Sequence, residues 1–301
     1  MKPLVSIIIC TYNRAEILSR CLASLIDVAT PSYSTEILVV DNNSSDHTSD
    51  ITRQFISSSS ERYTSKYILE STVGLSYARN TGSAQASGKW VFYLDDDAMI
   101  TASFFTELKN CIDHGFDAFT GVFSPYYITD KPQWLHDSYG SKKSFRSGIG
   151  PLDNDYLCGG VMGFKKEVLH AVGGFPTKLG MSGNKIAYGE ETYVENILRS
   201  KNYSLGINPK LEILHLVHPK KYSLRWNLKS AYAIGKSQSA IGFVDKSVLK
   251  DSVALFLKHS FIGIPKLILY RKIKERYSLK YLSLKIIEPY FLLAGRLFYF
   301  I

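Results

Sequence analysis

The sequence predicts an α/β fold of the Rossmann-like kind, a mostly parallel sheet sandwiched by helices, followed by a basic, amphipathic helical extension. Short apolar runs alternate with amphipathic segments through the first 100 residues. The apolar runs lack polar–apolar alternation, as is typical of strands covered on both faces. Strand and helix in regular succession indicate a parallel sheet with right-handed crossovers.

Four strands and three helices account for this half of the chain. The strands are predicted at 5–10, 36–40, 66–70 and 90–94, in "VSIIIC", "EILVV", "KYILE" and "WVFYL". The helices are predicted at 14–26, from near Asp46 onward, and at 74–87. In the first helix, apolar residues recur at helical spacing, from Ile17 and Leu18 to Leu25.

Polar residues follow three of the strands directly. They are Thr11, Tyr12, Asn13 and Arg14 after the first strand, Asp41 to Asn43 after the second, and Asp95 to Asp97 after the fourth. Ligands of doubly wound sheets bind beyond the carboxyl ends of the strands. The sequence therefore predicts a ligand site at this edge.

The three aspartates admit two interpretations. A strand-terminal Asp often only forms a turn that water solvates. In an extended backbone, however, Asp95 and Asp97 would project to one side and Asp96 to the other. Two converging carboxylates suit a hard divalent cation such as Mg²⁺ or Mn²⁺. Composition alone leaves both interpretations open.

The second half of the chain has a different character. A polar, Gly-rich stretch at 132–155 predicts a long functional loop, and a short strand with Gly159 and Gly160 follows. Glu190 and Glu191 open an amphipathic helix, where they either complement the helix dipole or supply a general base. His215 leaves a strand and is a core residue, a surface residue or a ligand.

Composition and charge exclude several classes of protein. The four cysteines form no CxxC pair, and no secretory signal is visible, so we expect a reduced, cytoplasmic protein. No run reaches the length of a membrane-spanning helix, and neither a dinucleotide fingerprint nor a P-loop occurs.

Residues 245–301 hold 11 Lys/Arg and 4 Asp/Glu, so +7 of the net +9 lies there. The near-neutral body argues against nucleic-acid binding.

Seven segments in order resemble the family 2 glycosyltransferases of GT-A fold. They are "VSIIICTYNR", "ILVVDNNSSD", "GLSYARNTG", "FYLDDDA", "GGVMGFKKEVLHAVGGF", "YGEET" and "LHLVHP". The resemblance covers about residues 3–240 and is specific because all seven keep their register.

The resemblance implies a role for each matched position. Nucleotide-sugar binding is implied for Thr11, Tyr12, Arg14, Asp41, Arg79, Asp95 and Asp96, with Asp41 on the base, usually uracil. Asp97 and His215 are implied as metal ligands, and Gly159, Gly160 and the loop residue Trp134 as neighbours of the donor sugar and acceptor. Glu191 matches the usual catalytic base, with Glu190 beside it. The family more often has Asp at that second acidic position, which leaves the assignment between Glu190 and Glu191 open.

The activity implied is that of a metal-dependent, inverting hexosyltransferase. Such an enzyme moves a sugar from a nucleoside diphosphate sugar, here a UDP-sugar, to a hydroxyl of a glycan or lipid-linked acceptor, as in polysaccharide biosynthesis. Two alternatives are a sugar-phosphate nucleotidyltransferase and a catalytically silent, membrane-associated scaffold that keeps a nucleotide pocket. The nucleotidyltransferase is expected to carry a Gly-rich, basic loop after the first strand, and "TYNRAEI" is not one.

Domain boundaries follow from the change in composition. We predict a glycosyltransferase domain at 1–240, with a nucleotide-binding half at 1–100 and an acceptor-binding half at 101–240. In the tail, 241–301, apolar and aromatic runs alternate with Lys and Arg. This pattern predicts a segment lying on the cytoplasmic face of a membrane, and a basic helical hairpin packed on the catalytic domain is the alternative.

Overall fold

The computed structural model describes residues 2–183, 185–241, 254–274 and 278–298. The chain forms two compact units. The first comprises Met1–Tyr126, Ser141–Asn184 and Glu190–Leu216, and the second Tyr127–Gly140, Lys185–Gly189 and Val217–Ile301. The division predicted at residue 240 stays a prediction.

A nine-stranded mixed sheet forms the centre of the first unit. Its strands are β1 (Val5–Thr11), β2 (Thr35–Asp41), β3 (Thr64–Leu69), β4 (Trp90–Leu94), β5 (Ala98–Ile100), β6 (Ala118–Tyr126), β7 (Gly150–Pro151), β8 (Val161–Lys165) and β9 (Leu205–Leu216). Their order is β3-β2-β1-β4-β8-β6-β9-β5, with β7 paired to β9.

The two halves of the sheet differ in strand direction. The half formed by β3, β2, β1 and β4 is parallel, and these four strands lie where the apolar runs predict them. In the other half, β8 runs antiparallel to β4 and β6, β6 and β9 are parallel, and β5 is antiparallel to β9. The short strands β5 and β7 were not predicted because their pairing depends on partners distant in sequence.

Helices cover both faces of this sheet. They are α1 (Ala15–Asp27), α2 (Thr48–Ser58), α3 (Leu75–Gln85), α4 (Phe104–His114), α5 (Lys166–Ala171) and α6 (Glu190–Ser200). One core layer joins α1 and α4 to the sheet, for example through Leu18 and Phe104. The other joins α3, α5 and α6, for example through Ala78, Leu169 and Val194. The predicted three-layer arrangement is confirmed.

The second unit is helical in its described part. It contains a 3₁₀ turn at Pro219–Tyr222, helix α7 (Leu224–Ala240), a π-helical turn at His259–Gly263, α8 (Ile264–Lys274) and α9 (Leu279–Leu297). Helices α7 and α9 cross at two glycines: a Cβ on Gly235 would lie 1.9 Å from the Leu292 carbonyl oxygen, and one on Gly295 2.0 Å from that of Tyr232. Larger residues would separate these helices.

No helix in the described ranges is long and apolar enough to span a membrane. Residues 242–253, 275–277 and 299–301 of the predicted basic tail lie outside the described residues.

Candidate active site

Three strand ends bring the first acidic cluster together. The three aspartates, Asp95 to Asp97, follow β4, whose partner β1 ends at Thr11. Strand β5 starts directly after the aspartates and pairs Ala98 with His215 of β9. The Leu216 amide also donates to the Asp97 carbonyl at 2.9 Å. The register of this short strand therefore places His215 beside the aspartates.

The backbone at the aspartates is a turn, not an extended strand, because the Ala98 amide donates to the Asp95 carbonyl at 3.1 Å. The side chains nevertheless separate much as the extended backbone predicts. Asp95 and Asp97 converge with His215, and each of the three offers a ligand atom within 4.8 Å of the other two. Asp96 points instead to Arg14, whose Nη1 lies 2.8 Å from its Oδ1.

Two carboxylates and an imidazole form a donor set that a divalent ion such as Mn²⁺ accepts. His215 Nε2 lies 3.3 Å from Asp97 Oδ1. The missing side chain of Gly160 leaves space beside Asp95, since a Cβ there would lie 2.5 Å from Asp95 Oδ2. Burial first, and then the charge of Asp97, raises the pKa of Asp95. A cation at this position would relieve that repulsion, so the residues fit a metal.

Arg14 gives this cluster a cation of its own. Its Nη1 also lies 3.4 Å from Asp97 Oδ2, so one guanidinium contacts two neighbouring carboxylates. Burial raises the pKa of Asp96 to about 6, although the charge of Arg14 acts in the opposite direction. Arg14 is thus placed to balance part of the negative charge of the three aspartates.

Arg79 connects this cluster to a second one. It lies on α3 and is 3% exposed. Its Nη1 donates to Glu190 Oε1 at 2.7 Å, and its Nη2 lies 3.7 Å from Asp95 Oδ1 and 3.2 Å from the Gly159 carbonyl oxygen. Burial lowers the pKa of Arg79, but the charges of Glu190, Asp95 and Glu191 outweigh it and raise the pKa overall. One buried guanidinium therefore connects the end of β4, the backbone at Gly159 and the start of α6.

The second cluster, Glu190 and Glu191, occupies the first turn of α6. Among the described residues, Oε2 of both side chains is buried without a hydrogen-bond partner. Burial first, and then the neighbouring charge of Glu190, raises the pKa of Glu191 to about 8. Since Arg79 pairs with Glu190, Glu191 is left as the carboxylate whose proton affinity lies near neutrality.

The predicted nucleotide residues after β1 and β2 lie in two interlocked loops. Asp41 is buried, accepting from the Ser44 amide at 2.9 Å and from the Tyr67 hydroxyl at 2.8 Å. Thr11 is buried and Tyr12 half-buried. Asp41 thus orders its own loop, and its predicted contact with a base stays a prediction.

Trp134 lies in the second unit, next to helix α9. Lys280 Nζ lies 4.6 Å from the centre of its ring, and the Ser278 hydroxyl donates to its carbonyl at 2.9 Å. Its predicted contact with a sugar stays a prediction.

Sequence reasoning did not single out Lys142 or Tyr156. Both lie in or next to the predicted functional loop, but a buried lysine in a polar, Gly-rich stretch has no signature in the local pattern. The exposure of Tyr156 likewise depends on contacts distant in sequence.

Residues 6–173 match the Glycosyl transferase family 2. The chain belongs to this family. Glycosyltransferase AglE of Haloferax volcanii is 42% identical to it over 263 residues, which cover 85% of this chain and 79% of that relative. The predicted family is confirmed.

Solved structures agree on the fold. Mannosyltransferase PcManGT from Pyrobaculum calidifontis, in complex with GDP-Man and Mn²⁺, aligns with a TM-score of 0.65 at 18% identity, covering 100% of this chain and 88% of that one. S. aureus TarS 1-349, in complex with UDP-GlcNAc, aligns with a TM-score of 0.54 at 19% identity, covering 96% and 81%. The predicted GT-A fold of this family 2 chain is confirmed.

Proposed function

We propose that this family 2 glycosyltransferase is a metal-dependent, inverting enzyme that moves a hexose from a nucleoside diphosphate sugar, with UDP-sugars as the first donors to test, to a hydroxyl of a glycan or lipid-linked acceptor. The observation that carries the proposal is the joining of two acidic clusters by one buried arginine. Asp95 and Glu190 both contact Arg79. One side chain therefore contacts both the candidate cation-binding set and the helix turn that carries the candidate base.

The donor side is supported by chemistry at the strand ends. Asp95, Asp97 and His215 would hold Mn²⁺ or Mg²⁺, and the bound ion would supply a positive charge against the diphosphate as it leaves. The structure of PcManGT, which contains GDP-Man and Mn²⁺, supports this choice of partners. Arg14 and Arg79 offer further positive charge, and the bare backbone at Gly159 and Gly160 allows a sugar to approach closely.

The acceptor side rests on Glu191. A general base works best when its pKa lies near the operating pH, and burial with the Glu190 charge brings the pKa of Glu191 to about 8. Glu190 pairs with Arg79 at the first turn of α6. Glu191 Oε2 would take the proton of the acceptor hydroxyl as its oxygen attacks the anomeric carbon opposite the departing diphosphate. One displacement of this kind inverts the anomeric centre.

The second unit supports a position at the cytoplasmic face of a membrane. In the segment 254–269, Leu255, Phe256, Leu257, Phe261 and Ile268 are exposed together with Lys258 and Lys266. The segment is anchored on α9, since the His259 ring nitrogen contacts the Ile286 carbonyl at 3.0 Å and the Ser260 hydroxyl contacts that of Tyr290 at 2.8 Å. Apolar and cationic side chains on one anchored segment favour anionic lipid surfaces.

Vesicle sedimentation tests the membrane part of the proposal. The protein should pellet with phosphatidylglycerol vesicles, and Phe261→Asp should reduce this binding. Phe145→Asp changes another exposed phenylalanine, in the first unit, and serves as the control. Equal pelleting of all three proteins, or none by the wild type, would contradict a lipid-binding second unit.

Thermal shifts test the donor site. The melting temperature is measured with UDP, GDP or dTDP, each with and without Mn²⁺, for the wild type, Asp97→Ala and Asp113→Ala. Asp113→Ala is the control, because it removes an exposed carboxylate on α4. A ligand that binds the native state raises the melting temperature. We expect one nucleotide to stabilise the wild type and Asp113→Ala only when Mn²⁺ is present, and to leave Asp97→Ala unshifted. No metal-dependent shift would favour the silent scaffold instead.

A further inference from the structure

Tyr156 is an exposed aromatic residue in the strip 155–160, which also carries the two glycines of the candidate active site. Tyr156 is 56% exposed, although the next residue, Leu157, is buried. Neither the predicted roles nor the proposed donor site uses it. Its surroundings indicate what the exposed ring is for.

Three hydrogen bonds fix the strip to α6, α3 and β6. The Leu157 amide donates to Glu195 Oε2 at 2.8 Å, and the Gly159 carbonyl accepts from Arg79, which also holds Glu190. The Cys158 amide between them donates to Thr120 Oγ1 at 3.1 Å.

These anchors set the place of the Tyr156 side chain. Glu191 and Glu195 are four residues apart and therefore share one face of the helix. Since Leu157 is bound to Glu195, the strip that carries Tyr156 lies along the same helix face as Glu191. Burial first, and then the neighbouring acidic groups Cys158, Asp155 and Glu191, raise the pKa of Tyr156.

Lys142 contacts both the backbone and the ring of Tyr156. The lysine is 5% exposed, and its backbone pairs with Phe123 through two hydrogen bonds of 2.9 and 3.1 Å. Its Nζ donates to the Tyr156 carbonyl at 2.6 Å and lies 4.3 Å from the centre of the Tyr156 ring. A cation at this distance is attracted to the ring face. The ammonium covers one face of the ring, so the exposed area belongs to the other face and the edge.

An open aromatic face beside a candidate base suits a sugar ring. A pyranose presents C–H groups on one face that pack on an aromatic ring, while its hydroxyls remain at the edge for polar contacts. The hydroxyl that attacks must lie within hydrogen-bond reach of the base. We propose that Tyr156 is the stacking residue of the acceptor subsite and takes the pyranose ring whose hydroxyl Glu191 deprotonates. The inference rests on the proposed function and adds to it the place and the class of the acceptor group.

Saturation-transfer NMR on the full chain tests this assignment without an identified acceptor. The probes are methyl glucoside, methyl galactoside, methyl mannoside and N-acetylglucosamine, each with UDP or GDP and diamagnetic Mg²⁺. In the wild type, at least one pyranoside should receive saturation, strongest at its ring C–H protons. Tyr156→Ala should reduce that signal about 2- to 10-fold, the range expected for loss of one aromatic contact.

Two further variants sharpen the test. Tyr156→Phe keeps the ring and should keep the signal, and Phe145→Ala removes a fully exposed aromatic ring of the same unit and should leave it unchanged. An unchanged signal in Tyr156→Ala, or no signal from any pyranoside in the wild type, overturns the assignment.

The metal-dependent nucleotide shift separates this inference from the proposed function. If Tyr156→Ala keeps that shift and also keeps the pyranoside signal, the acceptor subsite is wrong while the donor site stands. If the wild type shows no nucleotide shift at all, the proposed function fails first.

Discussion

The two acidic clusters of the first unit balance their charge in different ways. At the strand ends, Asp96 pairs with Arg14, whereas Asp95 and Asp97 converge with His215 in a donor set that suits a divalent ion. At the start of α6, Glu190 is paired with Arg79, a cation of the protein itself. Similar acidic pairs therefore differ in their counter-ion: an exchangeable ion is proposed for Asp95 and Asp97, whereas the fixed Arg79 pairs with Glu190 and leaves Glu191 with a raised pKa.

The largest effect is expected where the exchangeable cation is proposed. Asp97→Asn keeps the size of the side chain but removes a charge from the ligand set. We expect Mn²⁺ binding, followed by electron paramagnetic resonance, to weaken at least about tenfold, and donor cleavage to fall about 10²- to 10³-fold, as for loss of one electrostatic contact to a transition state. Asp113→Asn, on an exposed acid, is the control. Equal Mn²⁺ affinity in both variants would show that Asp97 is not a metal ligand.

The fixed cation is tested by Arg79→Met. The substitution leaves Glu190 buried without its partner, and removal of one member of a buried pair costs about 3–5 kcal/mol. Arg53→Met provides the control, because Arg53 is exposed and lies over the Tyr67 ring. Urea unfolding of the three proteins measures the difference. A loss below 1 kcal/mol for Arg79→Met, as is typical of exposed pairs, would show that Arg79 is not the structural counter-ion.

A smaller effect is expected from Gly160→Ala. The added Cβ would lie 2.5 Å from Asp95 Oδ2, so the carboxylate must move away from Asp97 and His215. We expect Mn²⁺-dependent nucleotide affinity to fall about tenfold, which corresponds to about 1.4 kcal/mol. Gly148→Ala meets nothing within 4 Å and should bind as the wild type does. Isothermal titration distinguishes the two variants, and equal affinities would place Asp95 outside the donor site.

The smallest effect concerns pH and stability at Glu191. Its pKa is about 8 in the folded chain, above its ordinary value of 4.5. An acid with a raised pKa favours folding below the ordinary value, and that contribution is lost as pH rises through about 8. Glu191→Gln cannot ionise, so its stability relative to the wild type should grow between about pH 4.5 and 8, by about 1 kcal/mol once solvent screening is counted. Melting curves across this range measure it, and a constant difference would contradict the raised pKa.

Sequence patterns predicted the strand-end cluster more completely than the helix-start cluster. The apolar runs before Thr11, Asp41 and Asp95 mark buried strands, and strand direction alone then places the polar residues at one edge. The role of Arg79 as a link between the clusters depends on contacts between residues 111 positions apart. Lys142 and Tyr156 depend on the path of a loop, and no local periodicity specifies that path. The predicted roles of individual residues stay predictions that the variants above test.

Release of nucleoside diphosphate from donor sugars directly measures the proposed sugar transfer with Glu191 as its general base. The wild type, Glu191→Gln and Glu190→Gln are each incubated with Mn²⁺ and with octyl glucoside or water as the acceptor. The donors are UDP-glucose, UDP-N-acetylglucosamine, UDP-glucuronic acid and GDP-mannose. We expect release from at least one donor, rising with pH to about 8, and a fall of about 10²- to 10⁴-fold in Glu191→Gln with the nucleotide-dependent thermal shift intact. Glu190→Gln should lose stability as well as rate, because its partner Arg79 stays buried. Release by Glu191→Gln at the wild-type rate would contradict the role of Glu191 as the base. No release from any donor by the wild type would contradict the proposed reaction.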